Sequence, residues 1–320
     1  MNDIELLNFN DVIPENIEWL YYPYIPSGKI TILCGNPGCG KTTFALALSA
    51  LLSKGAPLPL RTEPLEPINI IYQTGEDGIE DTIVPMLNKF NADNSRIASV
   101  NMVTEISFDN YVEIEKAIIK HKAKLMVFDP LQAFIGNSNL SSVNEMRNLL
   151  RKIGDIAYNT GCAILILSHL NKSTSSSNLM YRLLGSVDLV AIARSVLLIT
   201  EHPQKNDTKI LYQMKNNLAP HGMAVAFNIL DNGINWLEYC DIHEGEILHS
   251  ASSTDFQNAC DMLKELLEHE NVKSDRVRDL AASNGIGFTT LKKAKKYLNI
   301  KSVKIGHCWY YKKLDNVKED

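Results

Sequence analysis

The eight residues Gly35-Asn36-Pro37-Gly38-Cys39-Gly40-Lys41-Thr42 fit the pattern GxxxxGK[ST], and nothing else in the chain constrains its fold as strongly. The apolar run Ile30 to Cys34 precedes them and a helical pattern from Thr42 to Lys54 follows. Glycines let the backbone turn sharply enough to aim successive amide N–H groups at phosphate oxygens. The helix that opens at the loop adds the partial positive charge of its N-terminus. In that geometry Lys41 reaches the β- and γ-phosphates of ATP, the Thr42 hydroxyl ligates Mg2+, and Thr43 joins the loop as a binding residue in the first turn.

A loop of this kind belongs in an α/β fold, and the rest of the chain supplies one. Short apolar runs, Ile30 to Cys34, Ile68 to Thr74, Leu125 to Phe128 and Ala163 to Leu167, alternate with helical patterns at Thr42 to Lys54, Tyr111 to Lys122 and Val143 to Tyr158. That alternation predicts a mainly parallel sheet flanked by crossover helices. Four later runs, Val196 to Thr200, Lys209 to Met214, Met223 to Ile229 and Ile234 to Leu237, have short connections and predict hairpins at one edge.

Polar residues at the ends of these strands are the candidates for chemistry, because open α/β sheets bind ligands at the carboxyl ends of their strands. Asp129 ends one run and is the expected Mg2+ carboxylate. Glu76, in Thr74-Gly75-Glu76-Asp77, is placed to orient and polarise an attacking water, and Asp77 is expected to cap the next helix. His169, after Ser168, is placed to hydrogen-bond the γ-phosphate and report its loss to the loop that follows. Arg194 and Lys215 flank the later strands and are candidates for a cation on the transferring phosphoryl group.

The six cysteines are scattered without metal-ligand spacing and read as reduced structural thiols. No run approaches roughly 18 apolar residues and the acidic N-terminus lacks a signal pattern, so a cytoplasmic protein without a membrane partner is expected. The net charge of −5 hides an asymmetry. Residues 256–314 hold 12 Lys/Arg against 6 Asp/Glu, whereas the preceding 255 residues are net acidic. In the basic part three helical patterns, Phe256 to Glu268, Ser274 to Asn284 and Phe288 to Leu298, precede a hairpin pattern from Lys301 to Leu314, which is a winged-helix layout. The expected division is an arm at 1–18, an ATPase core at 19–248, a polar linker at 249–255, a winged-helix domain at 256–314 and a tail at 315–320. Lys292, Lys295 and Lys296 are expected on one outer face of the last helix with Lys293 flanking it, as contacts to DNA phosphates.

The sequence from Trp19 to Leu237 resembles the RecA/DnaB superfamily, and within it the RepA-type hexameric replicative helicases of plasmids, phages and other mobile elements. The resemblance rests on Trp19-Leu-Tyr-Tyr-Pro-Tyr-Ile-Pro-Ser-Gly28, the phosphate loop, Tyr72-Gln-Thr-Gly-Glu76-Asp77, Asp129-Pro130, Ser168-His169, and Gly185-Ser186 to Arg194. It implies a RecA-like core, Glu76 as the catalytic glutamate, Arg194 acting across a subunit boundary with Lys215 beside it, and a ring of about six subunits. Asn217 stands where the DnaB pattern has an arginine two positions after the lysine. Single-stranded DNA is expected in the ring, contacted by loops that carry Lys172 and Arg182, and duplex DNA at the winged helix. The expected function is an ATP-driven replicative DNA helicase. The alternatives are a recombination or repair ATPase and a DNA-binding regulator or loader switched by ATP.

Overall fold

In the computed structural model the described residues are 6–101, 106–135, 143–169, 187–230, 233–268, 270–284, 286–306 and 308–312. The lead-in forms a small hairpin, β1 (Trp19–Tyr21) and β2 (Ile25–Pro26). Tyr21, Tyr24 and Ile25 are buried in the main core, and the Tyr24 hydroxyl donates to the Met223 carbonyl at 2.7 Å.

The core then runs β3 (Ile30–Gly35), α1 (Lys41–Lys54), β4 (Asn69–Thr74), a π-turn at Ile79–Ile83 leading into α2 (Val84–Lys89), β5 (Ile97–Ala98), α3 (Tyr111–His121), β6 (Ala123–Asp129), α4 (Val143–Thr160) and β7 (Ala163–His169). After α5 (Val187–Ile192) come β8 (Ser195–Glu201), β9 (Lys209–Asn216), β10 (Ala224–Leu230) and β11 (Gly233–Cys240). The strands form one nine-stranded sheet in the order β11-β10-β9-β8-β3-β7-β6-β4-β5. From β8 to β5 all neighbours are parallel; β9, β10 and β11 extend the β8 edge as antiparallel hairpins. The expected α/β class with a mainly parallel sheet is what the chain adopts.

Period-two alternation divides the sheet between two apolar layers. Leu33, Ile70, Leu125, Val127, Leu165, Leu167 and Ile199 face α1 and α2, whereas Ile32, Cys34, Ile71, Met126, Phe128, Ile164 and Ile166 face α3 and α4. Burial on both faces explains why the central strands read as near-continuous apolar runs. Helix α1 is apolar almost all round because Phe44 also meets Phe227 and Trp236 from the antiparallel edge, at ring separations of 5.8 and 5.7 Å.

Downstream, α6 (Glu244–Leu266), β12 (Val272–Lys273), α7 (Ser274–Ser283), α8 (Phe288–Tyr297), β13 (Ser302–Ile305) and β14 (Cys308–Tyr311) follow. The three strands form an antiparallel sheet in the order β12-β14-β13. Ala259, Leu263, Leu267, Val277, Leu291, Ala294 and Tyr311 share an apolar cluster of their own. Residues 249–255, expected as a polar linker, lie inside α6. The run contains serine, alanine and threonine but no glycine or proline, so nothing in it breaks a helix. Among the described residues no helix is long and apolar enough to cross a membrane.

Candidate active site

The phosphate loop leaves the carboxyl end of β3, between β8 and β7. Gly38 and Gly40 have φ of +73° and +93°, conformations that L side chains rarely adopt. At Gly40 a Cβ would also collide with the Ile229 side chain, which β10 carries over the loop. The loop therefore needs glycine for its turns, and at Gly40 a Cβ would also push the end of the Ile229 side chain aside.

Lys41 is buried and its Nζ donates to the carbonyls of Gly35 and Asn36, each at 3.0 Å. The same ammonium lies 3.3 Å from Nδ1 of His169 at the end of β7. An ammonium only donates, so Nδ1 accepts and the ring proton sits on Nε2, which faces a Glu76 carboxylate oxygen at 4.0 Å. Glu76 is 62% exposed and its carboxylate is open to a water. Its loop is tied to the end of β6 by the Gly75 N–H, which donates to the Asp129 carbonyl at 2.8 Å. Lys41, Glu76, Asp129 and His169, four strand-end or loop residues named from the sequence, thus converge on one edge of the sheet.

Asp129 is 6% exposed, and its Oδ2 accepts the hydroxyls of Thr42 and Tyr72, both at 2.7 Å. Burial pushes its carboxyl upward, the two hydroxyl donors pull it down, and Asp77 adds a smaller upward push. A buried carboxylate held against the Thr42 hydroxyl fits a hard dication that takes its other ligands from phosphates and water. Among the described residues no group of three or more His, Cys, Asp or Glu side chains is gathered at one point, and such a site needs none.

Burial and the nearby Lys41 hold His169 below the ordinary histidine range, against opposite pulls from Glu76 and Asp129. The folded protein therefore refuses a proton that the unfolded chain accepts below about pH 6.5. Stability from this group is present above that pH and is lost as the pH falls through the unfolded value towards the folded one. Between pH 7 and 5 the thermal midpoint of His169→Gln should fall less steeply than that of the unaltered protein. Parallel slopes would contradict the assignment.

Arg194 and Lys215 lie elsewhere. The Arg194 N–H donates to the Ile30 carbonyl, and Ser195 pairs with Thr31, so Arg194 stands at the amino end of the parallel strands. Five residues of β3 separate that level from Gly35, roughly 16 Å at about 3.3 Å per residue. Lys215 pairs with Val196 at the same edge; its Nζ donates to the carbonyls of Val190 and Ala193 at 2.6 and 2.8 Å. Burial and the neighbouring Arg194 both lower its affinity for a proton. Arg194 is exposed and lines a cavity of about 470 Å3 together with Lys29, Arg147, Arg151 and Tyr158. Neither cation can reach the phosphate loop of its own chain.

Two expectations change. Asp77 does not cap the following turn: Gly78 holds the N-cap position, and Thr74 closes the loop by accepting from the Asp77 N–H and donating to its carbonyl. Lys295 is not on the outer face of α8, because it follows Leu291 by four residues and so sits beside the buried stripe. Its Nζ bonds Ser302 and lies 4.3 Å from the Tyr311 ring centroid. The exposed lysines are Lys292, Lys293 and Lys296. Lys172 and Arg182 lie outside the described residues.

Sequence reasoning missed Tyr72, although a tyrosine in a buried strand needs a hydroxyl partner and so carried a signal. It also missed the Lys209–Glu201 ion pair, 2.6 Å apart beside the loop, and Ile229 above Gly40. Only the order of strands brings those residues to the site, and no local pattern reveals it.

Residues 3–175, just over half of the chain, match the family AAA_25, described as an AAA domain. DNA repair protein RadA of Halalkalibacterium halodurans is 26% identical over 215 residues, covering 66% of this chain and 41% of that protein. RadA of Bacillus subtilis is 23% identical over the same length and coverage. The chain thus spans about two-fifths of the length of these curated relatives.

Proposed function

From the premise that the chain belongs to the AAA-domain family AAA_25, we propose that it is an ATP-hydrolysing motor on DNA, a ring-forming helicase of the RepA type. The observation that carries the hydrolytic part is the convergence of Lys41, Thr42, Asp129, Glu76 and His169 on one sheet edge. In this reading the loop amides and Lys41 bind the β- and γ-phosphates, and Glu76 orients the attacking water. Thr42 and Asp129 would hold Mg2+, which would supply neutralisation of the phosphate charge. Lys41 exchanges its contact with His169 for the γ-phosphate, which frees the imidazole to follow the state of the nucleotide.

Arg194 completes the site from a neighbouring subunit. Its place at the opposite edge of the sheet, in a concave surface with further cations, suits a triphosphate presented by the next chain. Subunits arranged head to tail so that the loop edge of one meets the Arg194 edge of the next close into a ring, of about six by the RepA resemblance.

The C-terminal elements, three helices and a three-stranded sheet, support a winged-helix module that touches DNA through Lys292, Lys293 and Lys296. Changing these three to Ala in the full chain should weaken duplex binding and flatten the log-log salt slope by roughly 0.9 per lysine lost. An unchanged slope would instead favour a protein-docking role for this module.

A second reading, a repair or recombination ATPase, is supported by the similarity to RadA. The two separate in one experiment that measures ATP turnover with and without single-stranded DNA, beside strand displacement on a forked duplex. Stimulation with displacement is the helicase result; stimulation without displacement favours the repair reading. ATP turnover indifferent to DNA would contradict both.

A further inference from the structure

We propose that Tyr72 is a positioning residue that fixes the Asp129 carboxylate for the Mg2+ bound with the nucleotide; this rests on the reading of Asp129 as the metal-facing carboxylate. Tyr72 lies within β4, paired with Val127 of β6, and is 2% exposed. A phenol so deeply buried in a sheet face of leucine and isoleucine must find a hydrogen-bond partner. Its hydroxyl donates to Asp129 Oδ2 at 2.7 Å, and the Thr42 hydroxyl donates to the same oxygen, also at 2.7 Å.

The two donors come from different elements, β4 and the first turn of α1, and both elements are packed in the core. Two donors fixed on one oxygen remove the rotational freedom of the carboxylate. The other oxygen, Oδ1, then keeps a single direction without help from a ligand. The Thr42 bond also has a consequence for the hydroxyl itself: with its proton committed to Asp129, its lone pairs are the part left to face a cation. Tyr72 takes no such part. Its proton goes to Asp129, and it reaches the metal only through that carboxylate.

A residue that merely fills the core would behave differently, and the difference can be read without turnover. Tyr72→Phe keeps the ring and removes only the hydroxyl. In nucleotide titrations with EDTA, its affinity for ATP should stay within about two-fold of the unaltered protein. With Mg2+ present, the gain in affinity that Mg2+ confers should shrink by about ten-fold or more, the range for losing a hydrogen bond to a charged group. The Mg2+ concentration needed for half-maximal ATP binding should rise in parallel. Thermal unfolding of the nucleotide-free variant checks that the fold is kept, and Tyr72→Met, which also lacks a donor, serves if the Phe protein does not fold.

Asp129→Asn separates the two layers of the argument. If it removes the Mg2+ dependence and Tyr72→Phe adds nothing on top of it, the two residues act as one unit. If Asp129→Asn abolishes the Mg2+ gain but Tyr72→Phe alone leaves it intact, Tyr72 is only a core residue and the proposal falls while the metal reading stands. Equal losses with EDTA and with Mg2+ would likewise show a purely structural role. Should Asp129→Asn itself leave the Mg2+ dependence unchanged, the metal reading fails and the proposal fails with it.

Discussion

Arg194→Ala is expected to reduce ATP turnover by about 10³- to 10⁵-fold while leaving nucleotide affinity close to that of the unaltered protein. In the transition state negative charge spreads over the γ-phosphate oxygens. In the proposed site Lys41 and the loop amides, with the Mg2+ that Thr42 and Asp129 would hold, would neutralise the inner side and leave the outer side to a further cation. Arg194 of the same chain does not reach it, because it stands at the amino end of β8, level with Ile30. The register between β3 and β8 thus converts a sequence-based suspicion into a geometric demand: if Arg194 acts on phosphate at all, it acts on a neighbour's. Lys215 has its ammonium committed to two carbonyls of its own chain, so Lys215→Ala should disturb the Arg194 segment and have a smaller effect on turnover. Steady-state ATP hydrolysis and equilibrium nucleotide binding on the same preparations check both statements. A variant that binds ATP poorly would mean that Arg194 shapes the subunit boundary and does not act in the transition state.

Lys41→Ala is expected to abolish turnover and to weaken ATP binding as well. Its ammonium is the buried cation of the loop, oriented by the Gly35 and Asn36 carbonyls towards the place where phosphates dock. Loss of one preorganised donor from such a site costs about 10²- to 10³-fold in rate, and here the lost donor also carries a full charge. Because the ground state loses the same contact, KM should rise along with the fall in kcat. Near-normal hydrolysis by this variant would overturn the reading of the loop. The contrast with Arg194→Ala is diagnostic: the proposed roles predict a loss of both binding and turnover for Lys41→Ala, and a loss of turnover alone for Arg194→Ala.

Much of this site could be read from the chain because its residues lie at or just beyond the ends of strands that are apolar on both faces. Cys34 to Gly35, Phe128 to Asp129 and Leu167 to His169 all mark a passage from core to carboxyl edge, visible as an apolar run stopping at the phosphate-loop glycine or at a polar residue. The edge hairpins were legible from their short polar connections. What stayed hidden depends on relations between strands. Tyr72 meets Asp129 because β4 lies beside β6, and Ile229 covers Gly40 because β10 follows β9 at the β8 edge. The positions of Lys295 and Asp77 have local causes. Lys295 falls beside the buried stripe of α8 once the 100° step of a helix is followed from Leu291. Asp77 loses the capping role because Thr74, three residues earlier, closes its own turn and leaves Gly78 to start the next. The composition of the serine-rich stretch at 249–255 points to a linker, yet Ser and Thr do not end a helix unless their side chains find better backbone partners.

A shared active site is tested most directly by one measurement. Lys41→Ala and Arg194→Ala proteins, each inactive alone, are mixed under conditions in which subunits demonstrably exchange, and ATP hydrolysis is followed against the mixing ratio. Mixed assemblies contain boundaries where an intact phosphate loop meets an intact arginine, so activity should return and peak near equal proportions. No recovery at any ratio, or full activity from an isolated monomer of the unaltered protein, would contradict an active site shared between chains.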